Sequence, residues 1–169
     1  MVVDTYRGAT TALVPRALYL RITTDTDRVD LDMQAAYEWL VTRPGVDAAR
    51  VGVIGFCYGG GVALRHATQN PAIDAVVNLY GDTISDPARF GALLESRAPV
   101  LGIFGEADQN IPVEEAEAFE AALVAAELPH TVTIYPGMPH AFVQPDSITE
   151  PGEPQKAWQQ ILDFFDANL

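Results

Sequence analysis

An apolar run, Val51 to Ile54, breaks without a spacer into Gly55-Phe56-Cys57-Tyr58-Gly59-Gly60. No other segment restricts the fold as tightly. Small residues crowd one cysteine at the point where a strand gives way to a helix. That is the layout of a nucleophile elbow, with Cys57 at its apex. An elbow of this kind needs a strand before it and a helix after it, so it belongs in an α/β protein.

The rest of the chain repeats that alternation. A helix is expected from about Tyr58 to Thr68, then a strand over Ile73 to Leu79. Val100 to Phe104 is the next strand, followed by an alanine-rich helix from about Pro112 to Ala126. Thr131 to Tyr135 is a further strand, and a last helix runs from about Pro154 to Ala167. Short Val/Ile-rich strands separated by helical periodicity indicate a mainly parallel sheet. Ala116, Phe119 and Leu123 form the inward stripe of the long helix, and Trp158, Ile161, Leu162, Phe165 and Leu169 that of the last. Pro112 and Pro154 suit first-turn positions.

The first 45 residues are less regular. Met1 to Val3 could be a strand stub, and Thr10 to Ile22 could hold a short helix broken at Pro15. Asp30 or Asp32 is expected to cap a helix from Leu31 to Val41, with Leu31, Ala35, Trp39 and Leu40 facing inward. The expected organisation is one α/β domain over residues 1–169, irregular or partly strand over 1–30, with its core in 31–169.

Composition narrows the function. The chain has 169 residues, 49% of them hydrophobic, enough for a substantial core. Its net charge of -13 disfavours nucleic acid and anionic membrane as partners. A single cysteine makes neither an internal disulfide nor a cysteine-rich metal site, and by itself it reads as a small buried hydrophobe. Met1 leads straight into Val2-Val3-Asp4, and no apolar run approaches membrane-spanning length. A soluble cytoplasmic protein is the simplest expectation.

A cysteine nucleophile needs a base, and the base needs an orienting acid. Of three histidines, His66 lies mid-helix and His130 sits between a helix and a strand. His140 follows the strand ending at Tyr135, in a loop at the carboxyl edge that also carries Cys57. Asp108 follows the strand Val100 to Phe104, with Glu106 and Asp82 as rivals. Cys57, Asp108, His140 is the nucleophile-acid-base order of α/β hydrolases. The helix N-terminus after Cys57 favours a thiolate, and the Tyr58 backbone N–H is placed to donate to an oxyanion. The glycines do not spell G-x-G-x-x-G, and no lysine follows them as a phosphate loop requires. Asp25, Asp27 and Asp30 lack the glycine and glutamate of a calcium loop and read as a solvated turn. Neither cofactor nor metal is implied. Tyr80, Met138 and Phe142 are candidates for an apolar substrate pocket or for ordinary packing.

Arg50-Val-Gly-Val-Ile-Gly-Phe-Cys57-Tyr-Gly-Gly60, with Gly105-Glu-Ala-Asp108 and His140-Ala-Phe142 beyond it, resembles the dienelactone hydrolase family, the cysteine branch of the α/β hydrolases. The resemblance runs from about Asp30 to the C-terminus. Asp108 lies 51 residues beyond Cys57, and His140 lies 32 beyond Asp108. Val2-Val3-Asp4-Thr-Tyr6-Arg-Gly8 is similar to the family segment after the fourth strand. The resemblance implies a three-layer α/β/α hydrolase-like sandwich with a mostly parallel sheet, here N-terminally truncated. Family members carry, further upstream, the first three strands, the first core helix and the loop that supplies a second oxyanion N–H. They also carry a glutamate there that interacts with the resting cysteine. A fragment, a dimer that borrows the missing edge, and a genuine reduced protein all remain open.

The family also holds anionic substrates with arginines, one of them just after the catalytic histidine. Here the fourth residue after His140 is Gln144, and Arg16 is the candidate for the other arginine. The resemblance therefore implies a hydrolase of small carboxylic esters or lactones, of carboxymethylenebutenolidase type, rather than one restricted to anionic lactones. The alternatives are a noncatalytic or weakly active interaction protein or subunit, in which a partner or a second copy covers the open sheet edge, and a redox-responsive protein using the exposed thiol.

Overall fold

The computed structural model describes residues 1–4, 6, 19 and 23–169. They form two compact units, Met1–Ala48 and Ala49–Leu169. Arg16 and most of the expected helix over Thr10 to Ile22 lie outside the described residues.

In the first unit, Met1 to Val3 form no strand. Helix α1 spans Thr26–Val41 and begins five residues before the sequence expectation. Asp25 is the reason. Its carboxylate accepts from the backbone N–H groups of Asp27 (3.0 Å) and Arg28 (3.4 Å), closing the N-terminus upstream of Asp30 and Asp32. Asp25 is thus a cap, and Asp27 and Asp30 are helical residues rather than parts of a turn. The expected inward face is also corrected. Leu31 and Trp39 are 71% and 53% exposed, Ala35 is exposed too, and Val29 is the buried residue of this helix. Trp39 lies under the Arg43 guanidinium at 4.6 Å, a contact that partly compensates an exposed indole.

The second unit is built on four parallel strands in the order β1-β2-β3-β4. They are β1 Gly52–Phe56, β2 Ala75–Leu79, β3 Val100–Gly105 and β4 His130–Tyr135. Every residue of β2 and β3 is buried, as expected for strands covered on both faces, whereas β1 and β4 are partly open. Helices α2 (Tyr58–Gln69), α4 (Val113–Ala125) and α5 (Glu153–Asn168) flank the sheet, and the short α3 (Leu93–Ser96) lies between β2 and β3. Alternate strand residues face opposite layers. Val77, Leu79, Leu101 and Ile103 join Ala157 and Ile161 of α5 in one core, while Phe104 meets Phe119 of α4 on the other face. The result is the expected α/β/α sandwich with a mostly parallel sheet.

Two smaller differences refine the helix assignments. Pro112 is the N-cap of α4 rather than a first-turn residue, and its carbonyl accepts from Glu115 and Ala116. Pro154 does occupy the first turn of α5. Leu162 is exposed on α5, and Ala157 takes the buried place instead.

The register puts the carboxyl ends of all four strands at one edge. Phe56 lies beside Leu79, Leu79 beside Ile103, and Gly105 beside Tyr135. Whatever follows these residues shares that edge.

Candidate active site

Cys57 directly follows β1 and has φ +53°, ψ -124°, a conformation that L-residues rarely adopt. Such strain costs about 1–3 kcal/mol and persists only where surrounding structure enforces it. Here the backbone does so. The Cys57 N–H donates to Leu79 O at 2.9 Å, and the Cys57 carbonyl accepts from Gly60 at 2.9 Å. A Cβ on Gly55 would fall 1.8 Å from Gly59 O, and one on Gly60 would fall 2.3 Å from Asn78 Oδ1. Only glycines allow the strand and helix to approach this closely. The thiol therefore stands at the mouth of α2, half-buried, with the Tyr58 N–H next in the chain.

Asp108 lies in the turn after β3 and is 5% exposed. One carboxylate oxygen accepts from Asn110 N (2.7 Å) and Ile111 N (3.1 Å), which fixes the group. The other lies 2.7 Å from His140 Nδ1. His140 Nε2 in turn lies 3.1 Å from Cys57 Sγ. An acid bonded through Nδ1 selects the tautomer whose Nε2 can take a proton from the thiol. The three residues expected from sequence are thus one hydrogen-bonded chain.

The rivals are elsewhere. Glu106 is exposed, and its carboxylate accepts from Gly137 N at 2.8 Å, tying the β3 turn to the β4 turn. Asp82 is exposed beyond β2. His66 is buried within α2, and His130 Nδ1 lies 2.7 Å from Leu128 O. Gln144 folds back, its Nε2 donating to Ala141 O at 2.8 Å.

Tyr80 and Phe142 are almost wholly buried, with ring centroids 5.8 Å apart, and Met138 is partly buried against the same core. Burial, followed by the charge of nearby Cys57, pushes the Tyr80 phenol up to about 12. Tyr80 is therefore a neutral donor at physiological pH. Tyr135 is also raised, by burial and then by Glu153. Its hydroxyl donates to Gln160 Oε1 of α5 at 2.8 Å.

Sequence reasoning missed Asn78. This fully buried amide on β2 accepts from Gly81 N at 3.0 Å, and its Nδ2 lies 3.2 Å from Asp82 O. It shapes the turn against which Gly60 packs. A lone amide inside the apolar run Ile73 to Leu79 was the available signal, since a buried amide must find partners.

The profile of the Dienelactone hydrolase family matches residues 4–169. The "Putative carboxymethylenebutenolidase" of Yersinia pestis is 35% identical over 146 residues, covering 81% of this chain and 53% of that protein. The chain spans about half the length of the curated relatives it matches. Among solved structures, the "Putative Dienelactone Hydrolase" of Klebsiella pneumoniae superposes with a TM-score of 0.77 at 26% identity. That match covers 96% of this chain and 72% of the other. The metagenomic dienelactone hydrolase-like promiscuous phosphotriesterase P91 gives 0.73 at 23% identity, over 93% of this chain and 67% of its own, a likeness of fold.

Proposed function

The chain belongs to the dienelactone hydrolase family, and we propose that it hydrolyses small carboxylic esters or lactones through Cys57, His140 and Asp108. The observation that carries this reading is the unbroken chain from Cys57 Sγ to His140 Nε2 (3.1 Å) and from His140 Nδ1 to Asp108 (2.7 Å). Its chemistry follows directly. Cys57 Sγ attacks the carbonyl carbon while His140 Nε2 takes the thiol proton. The carbonyl oxygen becomes an oxyanion, towards which the Tyr58 N–H donates at the positive end of α2. Collapse breaks the C–O bond, and Nε2–H returns the proton to the departing alkoxide, leaving a thioester. Water then attacks the thioester and gives a proton to Nε2. The thiolate leaves, the acid is released, and the proton returns to sulfur. Asp108 holds Nδ1–H throughout and stabilises the imidazolium.

No described residue acts in this scheme as a carboxylate clamp, and Gln144 is engaged with its own loop. Met138, with Tyr80 and Phe142 behind it, favours an uncharged, modestly apolar acyl group. Arg16, the remaining candidate for an anionic subsite, lies outside the described residues. Among those residues no helix is long and apolar enough to cross a membrane. A cytoplasmic setting would keep the lone thiol reduced. The test is p-nitrophenyl acetate hydrolysis. Cys57→Ala is expected to lower kcat by about 10³-fold or more, and unchanged turnover would sink the proposal.

We also assign the outer edge of β1 to pairing with a second copy. β1 ends the described sheet, and Ile54 and Phe56 on it are 37% and 42% exposed. An edge strand offers backbone hydrogen bonds to another strand, and exposed apolar side chains favour such pairing. Sedimentation velocity is expected to show a dimer that Ile54→Lys dissociates. A monomeric parent protein at micromolar concentration would end this reading.

A further inference from the structure

His140 stands in a loop without helix or strand, five residues beyond β4, yet its Nε2 must meet a particular sulfur. Asp108 fixes one ring nitrogen only. A ring pinned at a single atom can still pivot about that bond. The structure provides a second restraint, and it comes from Tyr80.

Tyr80 is the first residue after β2, so it shares the carboxyl edge with Cys57, Asp108 and His140. It holds φ +39°, an unfavourable conformation for an aromatic residue. Its backbone N–H donates to Ile103 O at 2.8 Å, which enforces that conformation from β3. The side chain is 1% exposed and touches the His140 loop in two places. Its ring meets the His140 imidazole edge-on, with centroids 5.2 Å apart and planes at 62°. Its hydroxyl lies 3.3 Å from Val143 O and donates to it, three residues beyond His140. Between these two contacts the loop passes through Ala141 at φ +57° and Phe142, whose ring also packs on Tyr80. Phe56, the residue before the nucleophile, also lies against Tyr80, with ring centroids 6.3 Å apart and planes tilted at 58°.

We propose that Tyr80 is a positioning residue. Its buried phenol and ring clamp the His140 loop to the central sheet and hold Nε2 against Cys57 Sγ. The phenol must be protonated to donate to a carbonyl, and burial keeps it so. Tyr80 is 1% exposed and meets the His140 imidazole directly, so its effect passes through His140. This inference rests on the catalytic reading of Cys57 and His140, and the experiment separates the two.

Iodoacetamide alkylation of Cys57 at neutral pH reads how readily His140 takes the thiol proton, without requiring any ester to be a substrate. His140→Ala sets the lower limit of that rate. Tyr80→Phe keeps the ring and removes one hydrogen bond, and is expected to slow both alkylation and kcat by about 3- to 10-fold at unchanged KM. Tyr80→Leu also removes the ring and is expected to lower kcat by about 10²-fold, the scale of a misplacement near 1 Å. Tyr80→Phe with parental alkylation and kcat would overturn the proposal, and so would a raised KM at unchanged kcat. If alkylation is the same in the parent protein and His140→Ala, the catalytic reading itself fails. If only ester turnover is absent while alkylation follows the expected order, the clamp stands and the substrate class is wrong.

Discussion

The elbow at Cys57 and the loop at His140 reach the same point in space by different physical means. At the elbow, backbone does the positioning. Gly55, Gly60 and the Leu79 carbonyl fix the backbone of Cys57, whose own side chain makes no capping bond to α2. At the loop, side chains do the positioning. Asp108 holds the ring, Ser147 ties the turn through Phe142 O (2.9 Å) and Gln144 N (2.8 Å), and aromatic neighbours fill the space beneath. A backbone-defined position is intolerant of added atoms. A position defined by side chains should weaken by degrees as its contacts are removed. Cys57 is thus held by exclusion, His140 by attachment.

That contrast can be broken at several points. The largest effect is expected at Asp108, whose carboxylate is the strongest attachment of the loop. Asp108→Asn keeps the shape and an acceptor for Asn110 and Ile111, yet should lower kcat by about 10³–10⁴-fold by releasing the tautomer. Steady-state kinetics on p-nitrophenyl acetate would show this, and a loss below tenfold would mean that the loop does not depend on the acid. Next comes Gly55→Ala, where the added methyl meets backbone that has no room to move. A stability loss of about 3 kcal/mol is expected in urea denaturation. Parental stability would show that exclusion is not what shapes the elbow. The smallest effect is expected from Ser147→Ala, which removes the hydroxyl that bonds Phe142 O, Gln144 N and Gln144 O. About 1 kcal/mol is expected, seen as a lower Tm, with kcat changed less than threefold. A larger catalytic loss would place more of the positioning in that turn than its contacts suggest.

The same division explains what the sequence disclosed. The elbow was legible because its constraint is local: an apolar run, small residues and a cysteine within ten positions. Asp108 and His140 were legible because each follows its own strand, and a parallel sheet brings all such positions to one edge. Tyr80 could be listed as a site residue, but its bond to Val143 spans 63 positions and has no local signature. Asn78 was hidden because one amide does not disturb an apolar run. Helix α1 misled for another reason. Leu31, Ala35 and Trp39 have the spacing of a buried stripe, yet they are exposed, and Asp25 rather than Asp30 or Asp32 starts the helix. Periodicity identifies a helix and its apolar side. It does not supply the surface that would cover that side.

The strand order β1-β2-β3-β4 follows the order of synthesis. Each strand leaving the ribosome finds its neighbour already made, so the sheet can grow from one side as the chain lengthens. Cys57 emerges first and His140 trails it by 83 residues. At translation rates of about 5–20 residues per second, that gap lasts roughly 4–17 s. During that interval the nascent chain carries Cys57 without His140, and the hydrogen-bonded chain of Cys57, His140 and Asp108 is completed only when the fourth strand and its loop arrive.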